Sequence, residues 1–419
     1  MFKKIIASKT FIQSLITSTS TLINGLLGIA FYIYMARFLG PSSFGTFSVA
    51  IVTLTLVSDI ASVGTDTGIV RFVGQNIRKD KQKALKFLKL ALKIKFVAGI
   101  TLIVVGWLIV PMIANLVFHK PELTIPLRYS LIGAFGILLF SFVTSSIQAI
   151  EKFMTYGILN ISTNLFRLIS VFVLFYYGIL NINNSLSAYI IFPFLGFAVG
   201  LLFIPKFFNV KNESNVAKEF FQYNKWVALF ILVAAISGRL DTYLSTRLLS
   251  LRDVGIYSVA LGLAGVVPQI ISGIATVVAP KLASFETKQK AKDYLVKLQL
   301  FVSVLGVFGL IVGIIISRYF IPFFYGSSYI DSVSPFVILL IAQVIFLISI
   351  PAHTSVFYYF SKPSLFVWIS LVHLMIIGGL GWILISQFGY MGAAYTVLVG
   401  NISNLLIPGI WVLNKFRKE

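Results

Sequence analysis

The sequence predicts an all-α polytopic membrane protein, with twelve transmembrane helices in two parallel-repeat six-helix bundles around a central cavity. Three observations carry that expectation. Hydrophobic residues make up 58% of the 419-residue chain and charged residues only 11%, whereas soluble domains are about a quarter charged. Apolar runs of about 20 residues or more recur along the whole chain, each long enough to cross a hydrocarbon core of roughly 30 Å. The third is an internal repeat: "RFLGPSSFGTFSVA" at 37–50 returns as "RLLSLRDVGIYSVA" at 247–260. At that fixed offset of 210 positions Arg37, Leu39, Gly45, Ser48, Val49 and Ala50 meet Arg247, Leu249, Gly255, Ser258, Val259 and Ala260, while Phe44 and Phe47 meet Val254 and Tyr257.

The apolar segments run at 10–36, 44–70, 87–118, 124–149, 153–179, 185–208, 224–248, 254–280, 294–320, 331–359, 363–387 and 390–414. The basic start "MFKKIIASKT" leads into the first without a cleavage site and reads as a retained signal anchor. Short polar or turn-forming stretches separate the rest, among them "LGPSS", "NIRKDKQK", "FHKPEL", "LNINNS", "SLRD", "FETKQKAKD" and "FSKPS". Both copies of the repeat fall where the first span of a half meets the second. An even number of spans lies between them, so the halves share orientation, as parallel repeats do. The expected organisation is an N-terminal lobe 1–208, a linker 209–223 and a C-terminal lobe 224–419. Gly40 suits a tight turn, Gly45 and Gly255 suit close helix approach, and Ser42, Ser43 and Asp253 read as N-caps.

Lysine and arginine fix the expected orientation. With the N-terminus inside, only Arg37, Lys120, Arg128, Arg247, Arg252 and Arg318 fall at outer segments. Lys93, Lys95, Arg167 and Arg239 lie within spans, and all other basic residues are cytoplasmic. Both termini are therefore expected in the cytoplasm, in a multi-pass protein of the inner or cytoplasmic membrane. The net charge of +21 is mostly this positive-inside signal and attraction to anionic headgroups, which removes nucleic acid as a partner. With no cysteine, thiol catalysis and disulfides are excluded. His119, His353 and His373 are too far apart in sequence to suggest a metal constellation, and no cofactor is expected.

Charges inside spans need a separate account, since Arg or Asp at a helix centre costs about 2.5–3.5 kcal/mol on insertion scales. Asn160, Asn164 and Arg167 fall at i, i+4 and i+7 on one helical face. Arg167 stands near the midplane, where a planar guanidinium suits phosphate oxygens. Arg239 and Asp241 are two apart, with Arg247 further out; Asp59, Asp66 and Arg71 follow one another along the second span. The candidate binding set is Arg167, Arg239, Asn164, Asn160, Arg71, Arg37 and Arg247, with Asp241, Asp59 and Asp66 as charge-pairing or coupling groups. Asp66 could simply pair with Arg71, and Asp241 could neutralise Arg239 or Arg167. The first-span stripe Ser14, Thr17, Thr21, Asn24 and Gly28 reads as close packing between helices. His353 and His373 are candidate proton carriers, with a hydrogen-bonded interior role the simpler reading.

The stretches "YMARFLGPSSFGTFSVA", "VGTDTGIVRFV" and "LDTYLSTRLLSLRDVGIYSVA" resemble the polysaccharide transporter family, whose Wzx-type members flip lipid-linked oligosaccharides within the MOP flippase superfamily. The resemblance covers nearly the whole chain. It implies a MATE-like two-lobed flippase, not an enzyme, that moves a polyprenyl-(pyro)phosphate-linked oligosaccharide from the cytoplasmic to the outer leaflet by alternating access, for cell-surface polysaccharide synthesis. Asp241 matches the family's Asp before the second junction and Arg71 the Arg of "DTGIVRF". Implied partners are the glycan lipid, membrane lipids and pathway glycosyltransferases, with a monomeric chain. Two alternatives remain: an ion-coupled drug or organic-cation antiporter of the same superfamily, and a membrane glycan polymerase or ligase. The first should carry uncompensated acids within its spans; the second needs a large outer loop with catalytic groups, and the outer loops here are short.

Overall fold

A computed structural model describes residues 9–211, 214–283, 285, 287–362 and 364–418. Most of the basic N-terminal stretch, and residues 212–213 of the expected linker, lie outside the described residues. Every described element is a helix. In chain order the α-helices of four or more residues are α1 Lys9–Ser62, α2 Thr65–Gly68, α3 Lys81–Met112, α4 Thr124–Ala149, α5 Phe153–Tyr176, α6 Ile182–Gly200, α7 Ser214–Ser237, α8 Leu240–Leu248, α9 Leu251–Ala264, α10 Val266–Ala283, α11 Lys288–Tyr325, α12 Val333–Thr354, α13 Ser364–Met375 and α14 Gly381–Lys418. A π-helical turn, Ile69–Val73, continues α2.

Ten helical stretches among the described residues are long and apolar enough to cross a membrane, which makes this a multi-pass membrane protein. Two are unusually long: Ile16–Ser62 with 47 residues and Ser364–Arg417 with 54. At 1.5 Å per residue the first extends about 70 Å, over twice the hydrocarbon thickness. Each bends at a glycine in a conformation that L side chains avoid, Gly40 at φ 73° and Gly389 at φ 61°. The expected tight turn at Gly40 is thus present. Pro41 follows directly, and its fixed φ and missing N–H suit the first position of a helix. Ser42 and Ser43 therefore lie inside the helix and do not cap it. In the second copy the cap of α9 is Ser250, whose Oγ accepts from the Asp253 N–H at 3.2 Å. Asp253 lies in the first turn, where its carboxylate accepts from the Ser250 hydroxyl at 2.7 Å and faces the positive helix end.

The described residues form two compact units, residues 1–39 with 46–236, and residues 40–45 with 237–419. In the first unit an aromatic core builds on the π-turn: Phe72 stacks on Phe87 at 4.7 Å and packs against Phe220 at 5.9 Å. Phe220 holds the start of α7 to this unit, and Phe142 and Phe207 extend the same core. The apolar run expected as one span, 224–248, is interrupted: α7 ends at Ser237, and α8 begins at Leu240 after Gly238 and Arg239.

In the second unit the two copies of the repeat meet. A Cβ added to Gly45 would stand 2.9 Å from the Leu251 carbonyl carbon and 3.0 Å from the Gly255 nitrogen. One added to Gly255 would stand 2.9 Å from the Pro41 carbonyl carbon and 3.1 Å from the Gly45 nitrogen. Pro41 and Leu251, like Gly45 and Gly255, are separated by the repeat offset, so the contact is reciprocal. Two helix starts cross with their backbones touching, which only hydrogen side chains allow. Large apolar side chains such as Leu108, Leu116, Phe308 and Ile315 remain exposed on helix faces, as positions facing hydrocarbon require.

Candidate functional site

Along α5 the exposed apolar residues Ile158, Leu165, Ile169, Phe172 and Tyr176 recur at helical spacing on one face. Asn160, Asn164 and Arg167 lie on the opposite face and turn inward. Asn160 spends its amide on its own helix, donating to the Tyr156 carbonyl at 2.8 Å. Asn164 donates to Asn24 Oδ1 at 3.0 Å across 140 residues, while its own Oδ1 accepts from Arg167 Nη1 at 3.1 Å. Arg167 Nε donates to the Tyr189 carbonyl at 3.1 Å, and its guanidinium lies 3.8 Å over the Tyr189 ring centroid. Tyr189, on α6, shares a side-chain hydrogen bond with Tyr32 of α1.

These contacts form a polarised chain, Arg167 to Asn164 to Asn24, that orients the guanidinium from one side while the Tyr189 ring supports its face. Five N–H groups belong to a guanidinium, and two are committed here. Among the described residues no carboxylate pairs with Arg167. A half-buried, oriented, uncompensated cation in a span is fit to receive an anionic oxygen, and its planar fork suits phosphate.

The other charges of this unit are arranged differently from the expected pairing. Asp66 does not pair with Arg71. Its Oδ1 accepts from Lys95 Nζ at 2.8 Å and from Ser145 Oγ at 3.0 Å, and its Oδ2 from Ser62 Oγ at 2.9 Å. Arg71 lies on the π-turn, exposed, with its guanidinium 4.4 Å over the Tyr223 ring. The turn places Arg71 and Gly68 on the side of α7, away from Asp66. Asp59 is half-buried higher on α1, and Arg37 is exposed near the bend. The packing reading of the first-span stripe also fails in part. A Cβ on Gly28 would meet nothing within 4 Å, Thr17 and Thr21 bond back to carbonyls of their own helix, and Asn24 is the member that reaches another span. The Ser14 side chain lies outside the described residues.

In the second unit Asp241 is buried in the first turn of α8, and among the described residues no arginine forms an ion pair with it. It accepts a short hydrogen bond from the Tyr257 hydroxyl and further ones from Thr242. Arg239 occupies the break before α8, and Arg247 its last turn. His373 Nδ1 lies 3.0 Å from Ser237 Oγ, and His353 Nε2 lies 2.8 Å from the Asn404 carbonyl between the Phe346 and Phe366 rings. Both histidines are hydrogen-bonded interior residues.

The structure thus brings Arg167, Asn164 and Asn24 together and adds Tyr189, which sequence reasoning did not single out. Helical phase supplied a partial signal for Lys95 as well. Lys86, Lys89 and Lys93 recur at i, i+3 and i+7, whereas Lys95 falls two residues later, on the other side of α3.

Residues 13–286 match the family described as "Polysaccharide biosynthesis protein". No curated protein sequence matches the chain. Among solved structures the fold is similar to an inward-facing multidrug resistance MATE family transporter of the MOP superfamily, with a TM-score of 0.79 at 11% identity over 94% of both chains. It is also similar to the lipid II flippase MurJ in an inward closed conformation, with a TM-score of 0.77 at 16% identity over 96% of this chain and 89% of that one. A MOP superfamily transporter from Pyrococcus furiosus, whose binding pocket is described as reversed in polarity, gives 0.65 at 13% identity over 96% and 94%. At these identities the likenesses establish the fold.

Proposed function

Because the chain belongs to the polysaccharide biosynthesis protein family, we propose that it is a flippase for polyprenyl-(pyro)phosphate-linked oligosaccharide, moving it from the cytoplasmic to the outer leaflet by alternating access. The observation that carries this reading is Arg167: an oriented guanidinium within a span, held by Asn164 and Tyr189, with three N–H groups left for a ligand. An organic cation would be repelled there. A fold neighbour that is a lipid II flippase supports a lipid-linked substrate. Within the first unit Asn160, Arg71 and Arg37 are secondary candidates in this proposal, with Asp59 and Asp66 as acids of that unit; Arg239, Arg247 and Asp241 are the candidates of the second unit, taken by itself.

The chain crosses the membrane twelve times in this reading, because each of the two longest stretches crosses twice about its bent glycine. The lobes are 1–208 and 224–419, joined by 209–223, and both termini are cytoplasmic. A headgroup carrying two negative charges gains about 4.6 kcal/mol per 100 mV on leaving an inside-negative cell, at about 2.3 per charge. The membrane potential is thus a sufficient driving force, and no cofactor is used.

The test is flipping of a fluorescent polyprenyl-pyrophosphate oligosaccharide by the purified chain in liposomes under an imposed potential. Transport that rises with inside-negative potential and is lost in Arg167→Ala supports the proposal. Transport that persists in Arg167→Ala removes the site but not the function. Efflux of organic cations without glycan transport assigns the chain to drug export.

A further inference from the structure

The buried Asp66–Lys95 ion pair makes none of the Arg167 contacts, yet three serine side chains of α1 and α4 converge on it. Lys95 is completely buried. Its ammonium donates to Asp66 Oδ1 at 2.8 Å and to Ser141 Oγ at 2.7 Å. The carboxylate is completed by the hydroxyls of Ser145 at 3.0 Å and Ser62 at 2.9 Å. The Asp66 side chain is 34% exposed, so the cluster has an open end.

We propose that Asp66 and Ser141, with the hydroxyls of Ser62 and Ser145 bracing the carboxylate, form a monovalent-cation cage, and that its resident cation is the ammonium of Lys95. A carboxylate and hydroxyl oxygens are the donors that hard cations take. An ammonium carries the same single charge as an alkali ion and seeks the same oxygens. Its tether keeps it in place: the lysine stem enters along α3 from the face opposite Lys86, Lys89 and Lys93, so a free ion reaching the open end meets a site already occupied. The first unit therefore needs no external cation at this place. A plain structural ion pair has the same resting geometry but a different consequence. When its lysine is removed it leaves a stranded carboxylate, whereas a cage accepts a free ion in the space that the stem vacates.

The inference does not depend on the transported substrate, and its test is binding. Full-length Lys95→Ala, Lys95→Ser and Lys95→Ala/Asp66→Asn are compared with the wild-type chain in NaCl, LiCl, KCl and choline chloride at constant ionic strength. Binding is followed with 22Na and stability by thermal unfolding. The cage predicts that Lys95→Ala and Lys95→Ser bind Na+ or Li+ at least about tenfold more tightly than the double variant. Both single variants should melt higher in that salt than in choline, and the wild-type chain should respond to neither. Single variants that can be purified only in an alkali salt give the same answer. Variants that melt alike in every salt and bind no ion overturn the cage, as does a wild-type chain that binds Na+ as tightly as they do. Variants that fold in no salt while the double variant folds also overturn it, leaving a structural ion pair.

Discussion

Substitution of Gly45 by alanine tests the crossing on which the repeat architecture rests. The added Cβ would lie 2.9 Å from the Leu251 carbonyl carbon and nearer still to its oxygen. A C=O bond is about 1.2 Å long, and ordinary van der Waals contact begins near 3.4 Å. The two helix starts would therefore have to part by more than about 1 Å, and the opposing atoms are backbone, which has no rotamer to change. Overpacking of side chains costs about 1–3 kcal/mol; a backbone obstacle places Gly45→Ala at the upper end of that range. Gly255→Ala should cost about the same, because its Cβ meets the Pro41 carbonyl in the mirrored way. Once one substitution has separated the helices the other meets less resistance, so the double variant should cost clearly less than the sum. Gly28→Ala is the control. Its Cβ meets nothing within 4 Å, and alanine is favoured over glycine inside a helix by about 0.5–1 kcal/mol. Thermal unfolding of the purified proteins in detergent reads all four. A Gly45→Ala protein that melts with the wild type, or a Gly28→Ala protein that falls as far as Gly45→Ala, refutes the reasoning.

Arg167→Lys keeps the charge but loses the Nε donation to Tyr189 and the planar fork. It should bind a polyprenyl pyrophosphate roughly 10–100-fold more weakly, as hydrogen bonds to charged groups at about 1.5–3 kcal/mol imply, measured by fluorescence titration in nanodiscs. Asn24→Ala should weaken the same binding by less, and have no further effect in an Arg167→Ala background, because Asn24 reaches the phosphate only through Asn164 and Arg167. Tyr257→Phe withdraws the hydroxyl from buried Asp241 and should destabilise by about 1–3 kcal/mol, visible as a lower melting temperature. Asn224→Leu should do the opposite. Among the described residues neither amide atom of Asn224, buried against Gly68, has a hydrogen-bond partner, so an apolar side chain of similar size relieves an unmet polar demand.

The sequence by itself determined the class of molecule, because membrane spans are specified by composition over about 20 neighbouring residues. It also determined the repeat and the place of its glycines, since a backbone crossing admits no other residue at Gly45 and Gly255. Helical phase was enough to put Asn160, Asn164 and Arg167 on one inward face of α5. It could not say what that face meets. Asn24 stands 140 residues from Asn164, and its stripe looked the same whether it packed, lined open space or reached another span. Asp66 had a basic residue close by in sequence at Arg71. The π-turn and the fold of α3 and α4 instead delivered Lys95 and Ser145 to it and sent Arg71 to Tyr223. Asp241 likewise found the Tyr257 hydroxyl and not its neighbour Arg239. Only the tertiary structure decided these pairings. Local periodicity fixes the direction in which a side chain leaves its helix, while the partner it finds there depends on the packing and axial register of other helices, which neighbouring residues do not encode.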